Sequence, residues 1–314
     1  MLGHDTVRDW LSTAFNSRRV AGAYLFVGPD GIGKAAMALR FAAALRCERR
    51  SGWSCGECNE CVRVLRGVHP NVRRFAKPAD KTDFPVELVR QICDEAALKQ
   101  LEPGARVFLV EDADRFNESS ANAFLKTLEE PPAGMTFVLL AGNVADVLPT
   151  ILSRCQPVRI SPLSGAQVAQ IARDWEGLPV SAQARELLVR AAQGSPGRLR
   201  RLLEYGSVAC AQAFLEAVAN DPFAAADKLS ESIHEADENE SRRERLRLAL
   251  GLLSAALRDR LAAGWAPPLL AAGERGNRDA LLGALYRLDE LRVRVDGNAN
   301  LKLCCDAVAL SWPA

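Results

Sequence analysis

The chain has 314 residues, 48% apolar and 25% charged, which is the composition of a folded globular protein with more than one core. Its formal net charge of +1 excludes a global field that would draw it onto nucleic acid, so any DNA contact needs a local patch or a partner. No apolar run reaches the ~18 residues of a membrane span and the first residues carry no signal-peptide pattern, so a cytoplasmic protein with no membrane contact is expected.

Residues 5–19 read as an amphipathic helix, with Val7, Trp10, Leu11 and Ala14 at helical spacing. Ala23-Tyr-Leu-Phe-Val27 is a short apolar strand that runs into Gly28-Pro-Asp-Gly-Ile-Gly-Lys34, and a helix follows from Lys34 to Ala44. Strand, glycine-rich loop and helix in that order are the context of a phosphate-binding loop. Gly28, Gly31 and Gly33 let the backbone wrap an anion, amide N–H groups of the helix start face it, and Lys34 adds a positive charge. The position after the lysine ordinarily carries a hydroxyl for Mg2+, and here it is Ala35. Phosphate cradling survives that change, and magnesium placement is weakened.

Four of the nine cysteines crowd into residues 47–61, as Cys47, Cys55, Cys58 and Cys61. Two-residue spacers let thiolates fold onto one ion, so these cysteines read as a closed, structural Zn2+ site. His69 opens the loop before a strand at Val72–Phe75 and is not needed as a ligand. Residues 77–84 read as a polar, solvated loop. Val86–Leu98 is a helix with Val86, Val89, Ile92, Cys93 and Ala96 on one face.

A strand at 106–110 ends in Glu111 and Asp112, the positions for acids that handle metal and water beside a triphosphate. Asp before Glu is the usual order. Here it is reversed, and Asp112 is one methylene shorter than the base expected there. A helix over 121–130 stops at Pro131-Pro132, and a second strand, 136–141, ends at Gly142-Asn143. Polar groups at the carboxyl ends of adjacent strands are how a nucleotide-binding parallel sheet presents its chemistry.

Beyond residue 160 the pattern is helical. Ser164 and Ser181 read as N-caps of helices over 165–176 and 182–193, the second ending at Gly194, and a third helix follows Pro196-Gly197. Further helices are expected over 207–219, 222–235, 240–263, 277–294 and 300–311. In 240–263, Leu246, Leu250, Leu253 and Leu257 share a face opposite a basic outer one, better suited to solvent or a partner than to DNA.

Together, the P-loop segment, the four-cysteine insert behind its helix, Ala121-Asn-Ala-Phe-Leu-Lys-Thr-Leu-Glu-Glu-Pro-Pro132 and Leu148-Pro-Thr-Ile-Leu-Ser-Arg-Cys155 resemble the bacterial DNA polymerase III clamp-loader subunits of the AAA+ superfamily. Delta-prime is the nearer type and gamma/tau the next. The resemblance covers the first 160 residues well and the helical remainder weakly. It implies an α/β parallel-sheet P-loop domain with the zinc module over 1–161, a three-helix lid over 162–206, and an all-α collar over 207–314. It implies that Arg154 is an arginine finger acting in trans on a neighbour's ATP, and that Asn143 is the "sensor 1" residue. Gly197 stands where "sensor 2" carries an arginine, and Arg198 is turned about 100° away. Ala35, the reversed acids and Gly197 all weaken hydrolysis of the chain's own ATP, while Arg154 is retained. That asymmetry implies a stator-like delta-prime subunit with a degenerate ATP/ADP site formed by Gly28, Gly31, Gly33, Lys34, Glu111, Asp112 and Asn143. Its partners would be gamma/tau and delta subunits in a hetero-pentamer and, through the complex, the sliding clamp and primer-template DNA. Two alternatives remain open from the sequence: a gamma/tau-like ATPase motor, and a zinc-bearing nucleic-acid adaptor with a vestigial P-loop.

Overall fold

A computed structural model describes residues 2–49, 52–78, 80–98, 102–173, 175, 182–218, 220–235, 239–263, 278–297 and 299–312. The chain divides into two compact units, Met1–Leu163 and Ser164–Ala314. The proposed N-cap Ser181 lies outside the described residues. The helix expected over 165–176 ends early, at Ile171 with Ala172 as its C-cap.

The first unit is built on a parallel sheet. Its strands are β1 (Ala23–Val27), β2 (Val72–Phe75), β3 (Arg106–Val110), β4 (Met135–Ala141) and β5 (Gln156–Arg159), in the spatial order β2-β3-β4-β1-β5. The central strands β1, β3 and β4 are buried along their whole length, as their continuous apolar runs require when both faces are covered. Successive side chains point to opposite faces. Tyr24, Phe26, Val107, Leu109, Val138 and Leu140 pack under α1 (Asp5–Asn16), α2 (Lys34–Arg46) and α3 (Asn59–Leu65). Leu25, Phe108, Val110, Phe137 and Leu139 pack under α4 (Val86–Ala97), α5 (Glu118–Glu129) and α6 (Pro149–Leu152). Phe137 lies at the middle of that second layer, with Phe124 edge-on at 5.2 Å and Phe108 at 6.0 Å between ring centroids.

Several findings depart from the sequence reading, among them helix α3. β5, an edge strand paired with β1, was not expected. Residues 77–84 are not solvated throughout, because Phe84 is fully buried against Phe116 and its amide donates to the Arg115 carbonyl at 2.8 Å. Helix α5 begins at Glu118, three residues early, because Asn117 caps it by accepting from the Ser120 amide. Arg106, at the start of β3, donates to the carbonyls of Glu95, Ala96 and Leu98, so it satisfies the end of α4.

The second unit is helical: α7 (Gly165–Ile171), α8 (Ala182–Ala191), α9 (Pro196–Glu204), α10 (Ser207–Val218), α11 (Pro222–His234), α12 (Asn239–Ala263), α13 (Arg278–Asp296) and α14 (Leu301–Ser311). Ser164 forms a full capping box with Gln167 at α7. Leu246, Leu250, Leu253 and Leu257 of α12 are all fully buried. The basic face of that helix is less open than expected. Arg243 donates to the Val295 and Ala299 carbonyls and Arg245 to those of Tyr205 and Ser232, so both arginines tie helices together. Among the described residues no helix is long and apolar enough to cross a membrane.

Candidate functional site

The order of the strands decides where the site lies. β3, β4 and β1 are adjacent and parallel, so their carboxyl ends bring Glu111-Asp112, Gly142 and the P-loop to one edge. A cavity of about 320 Å³ opens there, lined by Asp30, Gly31, Gly33, Lys34, Ala35, Ala36, Glu111, Asp112, Asp114, Arg115, Leu140, Ala141 and Gly142. Gly33 is the N-cap of α2 at φ 107 and no side chain caps that end, so the first-turn amides are open to an anion. Gly28 is required by close approach: a Cβ there would lie 2.2 Å from the Ile160 carbonyl oxygen and 2.6 Å from Ile32 Cδ1.

Lys34 does not point into empty space. Its ammonium donates to the carbonyls of Gly28 at 2.6 Å and Pro29 at 3.1 Å and pairs with the Asp30 carboxylate at 3.1 Å. Glu111 is held by Arg74 of β2, at 3.0 Å from Nε and 2.5 Å from Nη2. Asp112 follows in a left-handed backbone conformation, φ 56 and ψ 40, which aspartate tolerates better than most residues. Burial pushes its carboxyl pKa up, with smaller contributions from Asp114 and Glu111, against a backbone hydrogen bond from Lys77 that lowers it. Asp114 accepts from the Gly142 amide at 3.1 Å and so joins the ends of β3 and β4 across the cavity floor. Neither Asp30 nor Asp114 stood out in the sequence, because no motif marks them. Among the described residues, four acids face two bases, Lys34 and Arg115, around this cavity, and no hydroxyl lines it. Asn143 lies one residue beyond the lining. It is exposed and caps the following turn by accepting from the Ala145 amide at 3.1 Å.

Arg154 sits just past α6. Ile151 and Cys155 on either side of it are buried and fix the backbone. Its guanidinium is about a quarter exposed and pairs with Glu129 at the end of α5, Nε to Oε1 at 2.7 Å, while Nη1 donates to the Thr150 carbonyl at 3.0 Å. Glu129, in the Glu-Glu-Pro-Pro run, was read only as a helix end.

The four cysteines converge as their spacing predicts. Cys47 closes α2, Cys58 is the N-cap of α3 and Cys61 lies in its first turn. All four Sγ atoms lie within 4.8 Å of one another, and Cys55 and Cys61 are 3.9 Å apart. A tetrahedral ion with 2.3 Å metal–sulfur bonds needs sulfurs about 3.8 Å apart, so the set fits one ion. The Cys58 amide donates to Cys55 Sγ at 3.3 Å and the Cys61 amide to Cys58 Sγ at 3.4 Å, which orients the ligands. Backbone donors at Cys58 and Glu57 bring Cys55 down to about 6, whereas burial pushes Cys61 up to about 12. A divalent cation supplies the charge that lets all four ionise together. His69 stays out of the cluster. It is buried, accepts from the Asn71 amide at Nδ1 and faces Glu60 at 3.1 Å, in a network with Arg46, Arg63 and Glu102.

The family model described as "DNA polymerase III, delta subunit" matches residues 3–164, more than half of the chain. The chain belongs to this family. A DNA polymerase III subunit delta' of Pseudomonas aeruginosa is 36% identical over 186 residues, 58% of this chain and 56% of that protein. A tau/gamma subunit of Haemophilus influenzae is 31% identical over 199 residues, 62% of this chain and 28% of that protein. The match therefore spans little more than half the length of the delta' relative. A DNA polymerase III gamma subunit-related protein of Thermotoga maritima has the same fold, at a TM-score of 0.50 and 16% identity over 96% of this chain and 98% of that one. The family match and this structural likeness agree with an AAA+ arrangement of the P-loop sheet followed by helices. The matched segment, 3–164, ends where the first compact unit does.

Proposed function

We propose that this chain is a delta-prime subunit of a bacterial clamp loader, which lends Arg154 to a neighbouring gamma/tau subunit while its own nucleotide site is disabled. The observation that carries this reading is the lining of the cavity: Ala35 follows Lys34, and no hydroxyl is present to hold Mg2+. A triphosphate entering there meets Asp30, Glu111, Asp112 and Asp114 without the metal that would neutralise it. Gly28, Gly31, Gly33 and Lys34 keep the shape of a phosphate cradle, and Asn143 stands at the sensor position beside it. Arg154 supports the other half of the proposal, because it is tethered, partly exposed and outside that cavity. A fixed guanidinium neutralises charge on a transferring phosphoryl group and contributes roughly three to five orders of magnitude in rate where it has been measured.

Cys47, Cys55, Cys58 and Cys61 would hold Zn2+, whose role with no open ligand position is to fasten the insert between α2 and α3. Within the second unit, α7–α9 would form the lid and α10–α14 the collar. Leu282, Tyr286 and Val293 lie exposed on one side of α13, four and then seven residues apart, and support a packing surface for other subunits of a hetero-pentamer with gamma/tau and delta. That assembly would open the sliding clamp on primer-template DNA.

The test is Arg154→Ala in a reconstituted loader whose other ATP sites are inactivated. DNA- and clamp-stimulated ATPase at the shared site should fall by about three orders of magnitude. Unchanged turnover would refute the finger. Robust ATPase by the purified chain alone would favour the gamma/tau-like motor instead. Tight, steeply salt-dependent DNA binding by the lone chain would favour the nucleic-acid adaptor.

A further inference from the structure

Four arginines of the second unit cluster beside two carboxylates, Glu244 and Asp289. Glu244 of α12 accepts from Arg247 through Oε2, at 2.7 Å from Nε and 2.5 Å from Nη2. Its Oε1 has Arg201 of α9 at 3.5 Å and no hydrogen bond. Arg198, three residues before Arg201, and Arg292 of α13 complete the group. Arg198 donates to Gln193 at 3.0 Å, and its guanidinium rests against Gly251 of α12, where a Cβ would come within 2.5 Å of Nη2. A glycine inside a helix is less favourable than alanine. Here its missing side chain clears the seat of a guanidinium. Arg292 reaches Asp289 at 3.4 Å through Nη1. Among the described residues, the Nε atoms of Arg198 and Arg292 are buried and have no hydrogen-bond partner.

Charge and hydrogen bonding are both incomplete at this place. Four guanidinium groups face Glu244 and Asp289. Arg198 is brought down to about 10, first by burial and then by repulsion from Arg292, Arg247 and Arg201, with Glu244 opposing. Partly buried like charges with open donors are costly unless an anion joins them. Planar guanidinium forks match the oxygens of a phosphoryl group in geometry and charge. The cluster is reachable from solvent, since the side chains of Arg201, Arg247 and Arg292 are 35%, 34% and 27% exposed.

We propose that Arg198, Arg201, Arg247 and Arg292 form an oxyanion site that binds a doubly charged phosphoryl group. It shares no residue with the P-loop cavity and stands independently of the role given to Arg154. Helices α9, α12 and α13 each supply part of it, so a bound phosphate would also fasten those three helices together.

The experiment uses the full chain carrying Lys34→Ala, which weakens the P-loop so that binding there is not counted. Inorganic phosphate is titrated by calorimetry at constant ionic strength, with chloride as the balancing anion. One saturable site is expected, and Arg292→Gln and Arg247→Gln should each weaken it at least about tenfold with helical circular dichroism unchanged. Arg292→Lys, which keeps the charge but not the fork, should weaken it less, and it supplies the reading should a glutamine variant fail to fold. A short DNA oligomer that displaces phosphate with the same arginine dependence overturns the assignment to a doubly charged phosphoryl group, because each phosphodiester carries a single charge. An oligomer that leaves phosphate bound supports the site and assigns it to free phosphate or a monoester. Absence of saturable phosphate binding, or binding that survives both glutamine variants, overturns the proposal.

Discussion

Replacing Gly28 by alanine drives a methyl group into the backbone of the edge strand. The new Cβ would lie 2.2 Å from the Ile160 carbonyl oxygen and 2.6 Å from Ile32 Cδ1, whereas ordinary contacts begin near 3.4 Å. Ile32 can yield, because its side chain has other rotamers. The carbonyl cannot yield alone, since the Ile160 amide donates to Val27 at 2.8 Å and the Gly28 amide to Ala141 at 3.2 Å. Relief therefore requires β1 and β5 to separate by about 1 Å at their carboxyl ends. Overpacking of this kind costs typically 1–3 kcal/mol, and a backbone obstacle puts Gly28→Ala in the upper part of that range. For a unit of this size each kcal/mol moves the unfolding midpoint by roughly 2–4 °C, so a fall of about 5–10 °C is expected by calorimetry. Gly67→Ala is the control. Gly67 has φ 71 with nothing within 4 Å of a built Cβ, so only the left-handed backbone is penalised, at roughly 1–2 kcal/mol. A Gly28→Ala protein as stable as the parent would refute the close-approach argument.

Chelation at neutral pH should lower the midpoint of the first unit by several degrees, and metal analysis of the purified chain should return about one zinc per molecule. In the metal-free protein Cys55 should alkylate first. Its thiol is brought down to about 6, so the reactive thiolate is present above that pH and is lost as pH falls through it, while Cys61 at about 12 stays inert. Zinc should abolish that reactivity. Ala35→Thr restores a hydroxyl beside Lys34 and should tighten Mg2+-dependent ATP binding by about tenfold, roughly 1.4 kcal/mol, in equilibrium dialysis. Glu129→Gln removes a partly exposed ion pair with Arg154 and should change stability by no more than about 1 kcal/mol in denaturant titration.

What could be read from the sequence depended on how local the cause was. The central strands declared themselves because each is a continuous apolar run, and the P-loop because its glycines and lysine fall together between a strand and a helix. The cysteine cluster declared itself because its ligands are a few residues apart. β5 escaped because Gln156-Pro-Val-Arg159 is short, half polar and contains a proline, which an edge strand tolerates, and its partner β1 is more than a hundred residues away. Helix α3 escaped because its cap is Cys58, a residue already assigned to metal. Asp30, Asp114 and Glu129 are acids that no motif marks, and only tertiary structure sets them against Lys34, Gly142 and Arg154. The arginines of α12 were read as an outer face because helical spacing shows which side is polar, not whether another helix end covers it. Arg243 and Arg245 in fact satisfy carbonyls at neighbouring helix ends.

The cavity and Arg154 differ in what holds their charges. Lys34 has its three donors engaged by Gly28, Pro29 and Asp30, so an incoming phosphate must first displace a carboxylate and then remain among three further acids. The cradle itself is unimpaired: Gly33 opens the start of α2, Gly28 lets the loop pack on the sheet, and the strand ends are in place. What is missing is one hydroxyl and the metal it would hold, a loss of charge balance rather than of shape. At Arg154 the one carboxylate partner, Glu129, is half exposed, and such a pair in water is worth at most about 1 kcal/mol, while Nη1 also donates to the Thr150 carbonyl and to Ser153 Oγ. On the proposed reading, a polyphosphate presented by a neighbour would offer more negative charge than Glu129 does, so the exchange would run toward the neighbour. The proposed role thus sets anion binding against the chain's own pocket and in favour of its edge, and the same sheet positions both.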